Sequence, residues 1–372
     1  MKICFVVTEI EFFLSAFFEL AKEISIKHQV VLISDTSNAE SGDFKKLKEV
    51  GIEIIPLKKR PKSASIGQYL RYISELRRKI NTCSPEYIFF ITLELSMFGA
   101  LINNFICVKK IFFLITGTGS FYSHNNFKTR LFRTVNKVAY LLLLFNKNFK
   151  FIFQNQDDMN IFQNKNISNK SNSLLIQGLG INPKEFPFIE RSEKKELTFL
   201  FAAKLLESKG FNEFLEAGKK IMAKYPKTKF IVAGKLDFEN PETISEKTYE
   251  SLIKSGIDFL GEVPYEKMNN LYKKATIFVL PSYREGLPQA ALEAASTGMP
   301  LILTDVPGCR ECVTDNVNGY LVREKDSDDL FFKMEVFILN PENIRLMSIS
   351  SRKIVIRNFS VERIANEYLS HI

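Results

Sequence analysis

Short runs that are apolar on both faces alternate along this chain with segments of helical periodicity, and this alternation constrains the fold more than any other feature. In the first half, the runs are KICFVVT, QVVLISD, EIIPL, EYIFFIT, KKIFFLIT, KFIFQNQ and SLLIQG. Strands that lack a polar face are typical of parallel sheets covered by helices on both sides. The helical patterns between them, such as FFELAKEISIKH, therefore predict a doubly wound α/β domain.

The alternation restarts after the polar segment ERSEKKE at 190–196, which we interpret as an interdomain linker. LTFLFAAKLL, KFIVAGK, IDFLGEV, TIFVLPS, PLILTDV and GYLV are the strand-like runs of the second half, and the residues from 340 onward have only helical patterns. We predict an α/β protein with two Rossmann-like domains that face each other across a cleft. The expected divisions are 1–189 and 190–355, with a helix at 356–372 that packs back on the first domain.

Composition places the chain among globular proteins. Of its 372 residues, 45% are hydrophobic and 25% are charged, which is enough to form two cores of ordinary size. The longest apolar run, at 138–145, is too short to span a bilayer. MKICFVV leads directly into a strand pattern, so we expect no signal peptide. An odd number of cysteines, five, favours reduced thiols in the cytoplasm.

The net excess of positive charge is confined to the first half of the chain. Residues 1–190 contain 25 Lys and Arg against 16 Asp and Glu, a net charge of +9, whereas residues 191–372 contain 26 of each. The first domain is therefore expected to face something anionic. Nucleic acid, an anionic membrane surface and a phosphorylated substrate are the candidates.

Two glutamates eight positions apart, Glu285 and Glu293, flank the start of the helix that is predicted after the strand TIFVLPS. Pro288 suits the first turn of a helix, and Gly286 allows a ligand to approach the backbone closely. The N–H groups of a helix start attract anions. A phosphate at this position, with a carboxylate on each side for a sugar, fits the pattern, and Glu293 is expected to face the cleft from the second turn. Two solvated acids near a helix start are the alternative.

A pair of lysines, Lys204 and Lys209, surrounds a turn closed by Gly210 at the carboxyl end of the first strand of the second domain. Two cations at the mouth of a parallel sheet can neutralise a diphosphate. Lysines in a turn are otherwise simply solvated, so the pair gains meaning only beside the two glutamates.

Two short patterns resemble metal-binding motifs, but we do not predict a metal site at either of them. Cys309 and Cys312 have CxxC spacing but no second cysteine pair and no nearby histidine cluster. Asp326 and Asp328 spell D-x-D, yet they precede a helical pattern, and we interpret Asp326 as a helix cap.

Together these residues resemble the retaining glycosyltransferases of family 4, which have the GT-B fold. The motifs that carry the resemblance are E-x7-E at Glu285 and Glu293, K-x4-K-G at Lys204 and Lys209, GLGINPKEF at 178–186 and ITGTGSFY at 115–122. The last motif is similar to the corresponding segment in a bacterial subgroup of the family. Members of that subgroup build capsule, O-antigen and lipid-linked glycan precursors on undecaprenyl diphosphate. Several members of that subgroup transfer N-acetylgalactosamine or a related hexosamine from a UDP-sugar.

The resemblance implies roles for the charged residues. Glu293 would bind the nucleotide ribose hydroxyls, and Glu285 would contact the donor sugar. Lys204 and Lys209 would stabilise the leaving diphosphate in place of a metal ion.

It also implies roles for backbone groups. The N–H groups of Gly286 and Leu287, beside Pro288, would assist the lysines, and the uracil would lie near Gly261 and Val263. In the first domain, the loop with Thr116, Gly117 and Gly119 would approach the donor sugar and the acceptor. Many family members have a histidine in that loop, where this chain has Thr116.

We therefore expect a retaining hexosyltransferase with no cofactor or metal, a UDP-sugar donor and an undecaprenyl-diphosphate-linked acceptor. It would be cytoplasmic and peripheral on the inner face of the cell membrane, without a nucleic-acid partner. The basic and apolar segments 127–150 and 58–79 are the candidates for contact with the anionic membrane surface. The alternatives are a sugar-nucleotide 2-epimerase with a similar two-domain fold and a nucleic-acid-binding protein.

Overall fold

The computed structural model describes residues 1–59, 66–117, 134, 137–140, 143, 148–191, 196–237 and 240–372. The chain forms two compact units: Met1–Gly180 together with Val361–Ile372, and Ile181–Ser360. It therefore passes from one unit to the other after Gly180 and again after Ser360. Both crossings differ from the divisions expected from the sequence, after residues 189 and 355.

The first unit is built around a parallel sheet. Its strands are β1 (Lys2–Glu9), β2 (Gln29–Asp35), β3 (Glu53–Leu57), β4 (Tyr87–Ile91), β5 (Lys110–Ile115), β6 (Phe149–Phe153) and β7 (Ser173–Leu175). Among the described residues these seven strands lie in the order β3-β2-β1-β4-β5-β6-β7, with every neighbouring pair parallel. The interiors of the central strands are buried on both faces, which explains why they read as continuous apolar runs.

Helices connect these strands. They are α1 (Ile10–Phe12), which continues through a π-helical turn (Phe13–Phe17) into α2 (Phe18–Ser25), and then α3 (Ser41–Glu49), α4 (Ile66–Cys83), α5 (Leu93–Ile102) and α6 (Gln156–Asn164). Each crossover joins parallel strands, as the alternation in the sequence predicts.

The second unit repeats the same strand order. Its strands are β8 (Thr198–Ala202), β9 (Lys229–Ala233), β10 (Asp258–Phe259), β11 (Ile277–Leu280), β12 (Leu301–Thr304) and β13 (Gly319–Val322), and its helices are α7 (Phe211–Lys224), α8 (Glu246–Ile253), α9 (Tyr265–Lys274), α10 (Gln289–Ser296), α11 (Ser327–Leu339) and α12 (Glu342–Ile354). The described strands lie in the order β10-β9-β8-β11-β12-β13, all parallel. This is the doubly wound order of a Rossmann-like domain, so the predicted α/β class is confirmed.

The segment interpreted as a linker, 190–196, is partly packed into the second unit. Arg191 is buried, and its Nη2 donates to the backbone oxygen of Tyr272 and to Oγ1 of Thr297, both at 3.0 Å. The N–H of Ile189 donates to the backbone oxygen of Thr297 at 3.1 Å. The linker interpretation is therefore wrong for Arg191, because a polar sequence does not reveal that its guanidinium has buried acceptors.

The last helix, α13 (Val361–Ser370), belongs to the first unit. Ile364, Ala365 and Tyr368 are buried in one hydrophobic cluster with residues of β1, β2 and α2. Near the end of the chain, Lys110 Nζ donates to the backbone oxygen of His371 at 2.6 Å. The amphipathic pattern of this helix is thus satisfied by the first sheet and its helices.

Two smaller features complete the fold. Asp326 is the N-cap of α11, since its side chain accepts a hydrogen bond of 2.8 Å from the N–H of Asp329, which confirms the interpretation as a cap. Within the described part of the chain, no helix combines the length and the apolar character needed to cross a bilayer.

Candidate active site

The strand order of the second unit reverses between β8 and β11, which lie side by side at the centre of the sheet. In doubly wound sheets, ligands bind beyond the carboxyl ends of the strands at this point. The loop 203–210 leaves the carboxyl end of β8, and the loop 281–288 leaves that of β11. These loops contain Lys204, Lys209 and Glu285, so the topology brings three of the candidate residues to one edge of the sheet.

Direct contacts join the two loops. The N–H of Tyr283 donates to the backbone oxygen of Ser208 at 2.9 Å, and Oγ of Ser282 donates to the same oxygen at 3.1 Å. Gly210 has φ +69°, and a Cβ on it would lie 1.9 Å from the backbone oxygen of Pro281. The close approach of the loops therefore requires glycine at this position.

The joined loops hold an ion pair between Lys209 and Glu285. Lys209 Nζ donates to Glu285 Oε1 at 2.6 Å, and the two side chains are 26% and 11% exposed. Partial burial makes such a charge-assisted bond stronger than one in open water. Each side chain thus fixes the position of the other.

Two further cations lie on the same loops, and both have acidic partners. Lys204 Nζ lies 3.5 Å from Asp237 Oδ2, with the lysine side chain 59% exposed. Arg284 Nη2 donates to Glu242, whose other carboxylate oxygen accepts from Ser208 Oγ at 2.6 Å. Sequence reasoning missed Asp237, Glu242 and Arg284, since the acids lie in the loop after β9, where no motif marks them.

The helix that carries Glu293 begins one residue later than the sequence suggests. Pro288 is the N-cap of α10, with extended backbone (φ −74°, ψ 103°), and Gln289 is the first helical residue. The backbone oxygen of Pro288 accepts from the N–H groups of Ala291 and Leu292. Leu287, just before the cap, packs against the hydrophobic core. The correction is small, because helix ends are defined only to within a residue or two.

Gly308, in the loop after β12, lies close to the backbone of Glu285 and Gly286. It has φ +82°, and a Cβ there would lie 2.6 Å from the backbone oxygens of both residues. Burial, with a contribution from the charge of Glu285, raises the pKa of the neighbouring Cys309 thiol well above its usual range. Sequence reasoning did not single out Gly308, although its position just after PLILTDV marks a tight turn at the same edge of the sheet.

Glu293 is buried rather than open, with 4% exposure. Its Oε2 accepts a hydrogen bond of 2.8 Å from the hydroxyl of Tyr272 on α9. Burial raises the pKa of Glu293 to about 7, with a contribution in the same direction from Glu185, while the hydrogen bond from Tyr272 acts to lower it. Tyr272 is another residue that the sequence did not indicate, since it lies in an ordinary amphipathic helix.

Gly261 and Val263 follow β10, which is an edge strand of the second sheet. Gly261 has φ +67° and open space where a Cβ would stand, and its backbone oxygen accepts from the N–H of Gly234 at 2.8 Å. Val263 is partly buried against the core. These residues lie at the carboxyl ends of β9 and β10, the edge of the sheet that also contains Lys204.

In the first unit, Thr116 and Gly117 directly follow β5 and are partly exposed. Gly117 has φ +145°, a conformation that favours glycine. Gly119 lies outside the described residues, as does most of the segment 127–150. Thr116 and Gly117 therefore lie at the carboxyl edge of the first sheet.

Comparison with known proteins agrees with this architecture. The sequence profile of the family described as glycosyl transferases group 1 matches residues 182–354, within the second unit. The structure is similar to that of Alr3699/HepE from Anabaena in complex with UDP and glucose, with a TM-score of 0.79 at 16% identity over 100% of this chain and 98% of the other. It is also similar to WaaG, a glycosyltransferase involved in lipopolysaccharide biosynthesis, with a TM-score of 0.70 at 13% identity over 98% of each chain. These likenesses confirm the GT-B fold.

Sequence relatives extend the agreement. An N,N'-diacetylbacillosaminyl-diphospho-undecaprenol alpha-1,3-N-acetylgalactosaminyltransferase from Campylobacter jejuni is 30% identical over 314 residues, 81% of this chain and 80% of the relative. A UDP-Gal:alpha-D-GlcNAc-diphosphoundecaprenol alpha-1,3-galactosyltransferase from Escherichia coli is 28% identical over 197 residues, 49% of each chain. With a relative of this identity and coverage, the chain belongs to the group 1 glycosyltransferase family.

Proposed function

We propose that this chain is a metal-independent retaining glycosyltransferase that moves a hexosamine from a UDP-sugar to a sugar linked to undecaprenyl diphosphate. N-acetylgalactosamine is the first donor to consider. The product would be a lipid-linked precursor of a surface polysaccharide or glycan.

The observation that carries this proposal is the Lys209–Glu285 pair at the carboxyl edge of β8 and β11. Glycosyl transfer from a UDP-sugar develops negative charge on the leaving diphosphate and positive charge on the sugar ring. A lysine suits the first and a carboxylate the second, and fixed charges of this kind are usually the largest single contribution to catalysis. The start of α10 beside them adds a positive helix end.

The relatives support the choice of substrates. The Campylobacter relative carries both N-acetylgalactosaminyl transfer and an undecaprenol diphosphate in its name, and the Escherichia coli relative carries UDP-Gal and a diphosphoundecaprenol. The sugars in the two names differ, N-acetylgalactosamine in the first and galactose in the second, so a panel of UDP-sugars is the test of the donor. Both acceptors share the lipid diphosphate.

In the proposed reaction, the bond between the anomeric carbon and the diphosphate oxygen breaks, and UDP leaves with the electron pair. The acceptor hydroxyl oxygen bonds to the anomeric carbon on the same face. Its proton passes to the leaving phosphate oxygen. Lys209, and to a smaller extent the exposed Lys204, would stabilise the diphosphate, so that no metal ion is required.

The alternative of a 2-epimerase is not supported, because the relatives described above are glycosyltransferases. We expect no nucleic-acid partner. An anionic membrane surface is a simpler explanation for the positive charge of the first unit.

Radiolabelled UDP-sugars, incubated with the purified chain and a synthetic undecaprenyl-diphosphate-linked sugar, test the proposal. We expect label in the lipid product with at least one UDP-hexosamine, an α linkage by NMR, and the same rate in excess EDTA. The same incubation without lipid is the control and should give no transfer. Conversion of the UDP-sugar to its 2-epimer, or no labelled lipid with any donor, would contradict the proposal.

We further propose that helix α4 of the first unit contacts the membrane. Its surface combines exposed cations with exposed apolar groups: Leu70 on the helix is exposed, as is Phe105 nearby, and the guanidinium of Arg77 lies 5.2 Å from the ring centre of Phe105. Near an anionic surface each cation contributes about 1 kcal/mol. Residues 60–65, at the start of the basic segment 58–79, lie outside the described residues.

Charge reversal on α4 is expected to weaken binding to vesicles more than tenfold, since roughly 2 kcal/mol is removed with each reversed cation. The variant replaces three exposed arginines by glutamate: Arg71, Arg77 and Arg78. Flotation with anionic vesicles measures the effect. The matched control reverses three exposed lysines of the second unit, Lys267, Lys273 and Lys274, and equal loss in both variants would argue for nonspecific attraction.

A further inference from the structure

Tyr272 on α9 is joined to Glu293 on α10 by a hydrogen bond between their side chains. Tyr272 has 0% exposure, and its hydroxyl donates to Glu293 Oε2 at 2.8 Å. A buried hydroxyl that lacks a partner is costly, and so is a buried carboxylate. The hydrogen bond therefore links two groups that could not easily be buried apart.

The surroundings of Tyr272 hold it in place. The ring packs edge-on against Phe186, with ring centres 5.9 Å apart. Arg191 Nη2 donates at 3.0 Å to the Tyr272 backbone oxygen and also to Thr297, which caps the end of α10. The same guanidinium thus joins the ends of the two helices that carry Tyr272 and Glu293.

One carboxylate oxygen of Glu293 is occupied by this hydrogen bond. A carboxylate has two oxygens and about four acceptor positions, so the other oxygen keeps its capacity to accept. Two neighbouring hydroxyls on a sugar are close enough together to donate to that one oxygen. Rotation of the Glu293 carboxylate about its last side-chain bond would move the oxygen away from these hydroxyls. The hydrogen bond from the Tyr272 hydroxyl opposes this rotation.

We propose that Tyr272 is a positioning residue for nucleotide recognition, holding Glu293 so that its second oxygen meets the ribose hydroxyls. The inference rests on the proposed function and on the role that the family resemblance implies for Glu293, the binding of the nucleotide ribose. It predicts selection of ribonucleoside diphosphates over their 2′-deoxy forms. Tyr272 acts through Glu293 and does not itself touch the nucleotide.

The test is calorimetric titration of the full chain with UDP and with 2′-deoxy-UDP. At a pH well above the pKa of about 7 of Glu293, where its carboxylate is ionised, wild type is expected to bind UDP at least about tenfold more tightly, since the lost hydrogen bond involves a charged group. In Tyr272→Phe the preference should fall below about threefold. In steady-state assays, the same variant should raise KM for the UDP-sugar more than it lowers kcat, because the ribose is remote from the reacting carbon.

Tyr225 offers a matched control, since its hydroxyl donates to Glu335 Oε1 at the same distance of 2.8 Å. Tyr225→Phe should keep the wild-type preference for UDP. A Tyr272→Phe protein that keeps this preference would overturn the inference while leaving the proposed function intact. A wild-type protein that binds both nucleotides equally would instead defeat the assignment of Glu293, and the inference with it.

A second variant covers the case in which Tyr272→Phe does not fold. Glu293→Asp keeps the charge but withdraws the carboxylate from the Tyr272 hydroxyl by one methylene. We expect it to lose the preference for UDP as well. Undiminished preference in Glu293→Asp would count against the proposed geometry.

Discussion

Replacing Lys209 by alanine is expected to lower the rate of sugar transfer by about 10²- to 10³-fold. This is the effect that is typical when one hydrogen-bond donor is removed from a site that stabilises developing charge. Lys209 is both the more buried of the two lysines and the partner of Glu285 at 2.6 Å. In the proposed site, its removal would take a cation from the diphosphate and leave Glu285 without its lysine partner. The measurement is kcat for transfer from the UDP-sugar that proves active.

Lys204→Ala should have a smaller effect than Lys209→Ala. Lys204 is largely exposed, and water and salt screen an exposed charge more strongly. Lys224→Ala is the matched control, because Lys224 pairs with Glu335 at 2.8 Å but lies at the last residue of α7, which runs back to the opposite edge of the sheet. Its kcat should stay at the wild-type value.

Loss of activity must be separated from loss of fold. Glu285→Gln keeps the volume and an acceptor for Lys209, and should reduce kcat with little change in the free energy of unfolding. The double variant should lose less than the product of the two single losses, because the two side chains act as a unit. Full activity in Lys209→Ala would defeat its assignment to the diphosphate.

Replacing Gly210 by alanine is expected to lower the free energy of unfolding of the second unit by about 3 kcal/mol or more. Two costs combine. The left-handed backbone at φ +69° disfavours any side chain, and the new methyl group would lie 1.9 Å from the backbone oxygen of Pro281. The loops of Lys209 and Glu285 would have to separate, so transfer should fall as well. Chemical denaturation measures the first effect and kcat the second.

Gly256→Ala separates the two costs. Gly256 also has a left-handed backbone, at φ +81°, but nothing lies within 4 Å of a Cβ there. It should lose roughly 1–2 kcal/mol, the cost of the conformation alone, and keep full activity. Equal stability and activity in the two variants would show that the contact of Gly210 with Pro281 does not hold the loops together.

Much of the fold was readable in the sequence because buried parallel strands leave a strong local signal. The runs TFLFA and KFIVA form β8 and β9. The restart of the alternation correctly predicted a second sheet. The return of the last helix to the first unit was predicted, but the exact crossings, after Gly180 and Ser360, were not. The first crossing depends on the burial of Ile181 and Phe186 in the core of the second unit, and a local pattern carries no information on that.

Part of the candidate site could be predicted from the sequence as well. The resemblance drew attention to Glu285 and Lys209, and the structure brings them into contact. Tyr272 and Gly308 could not be found, because one lies in an ordinary helix and the other in an ordinary turn. Their importance comes from the groups they meet in space.

By itself, the sequence determined the α/β class, the double sheet and the charged residues available at the carboxyl ends of the strands. Only the tertiary structure decided which of these charges are paired. Lys209 and Glu285 are 76 positions apart and Tyr272 and Glu293 are 21 apart, so each pair exists only because the strand order and the packing of helices bring its members within hydrogen-bonding distance. The formation of a hydrogen bond requires the donor–acceptor distance to be correct to within a few tenths of an ångström. Residue spacing along the chain does not specify distances in space with that accuracy.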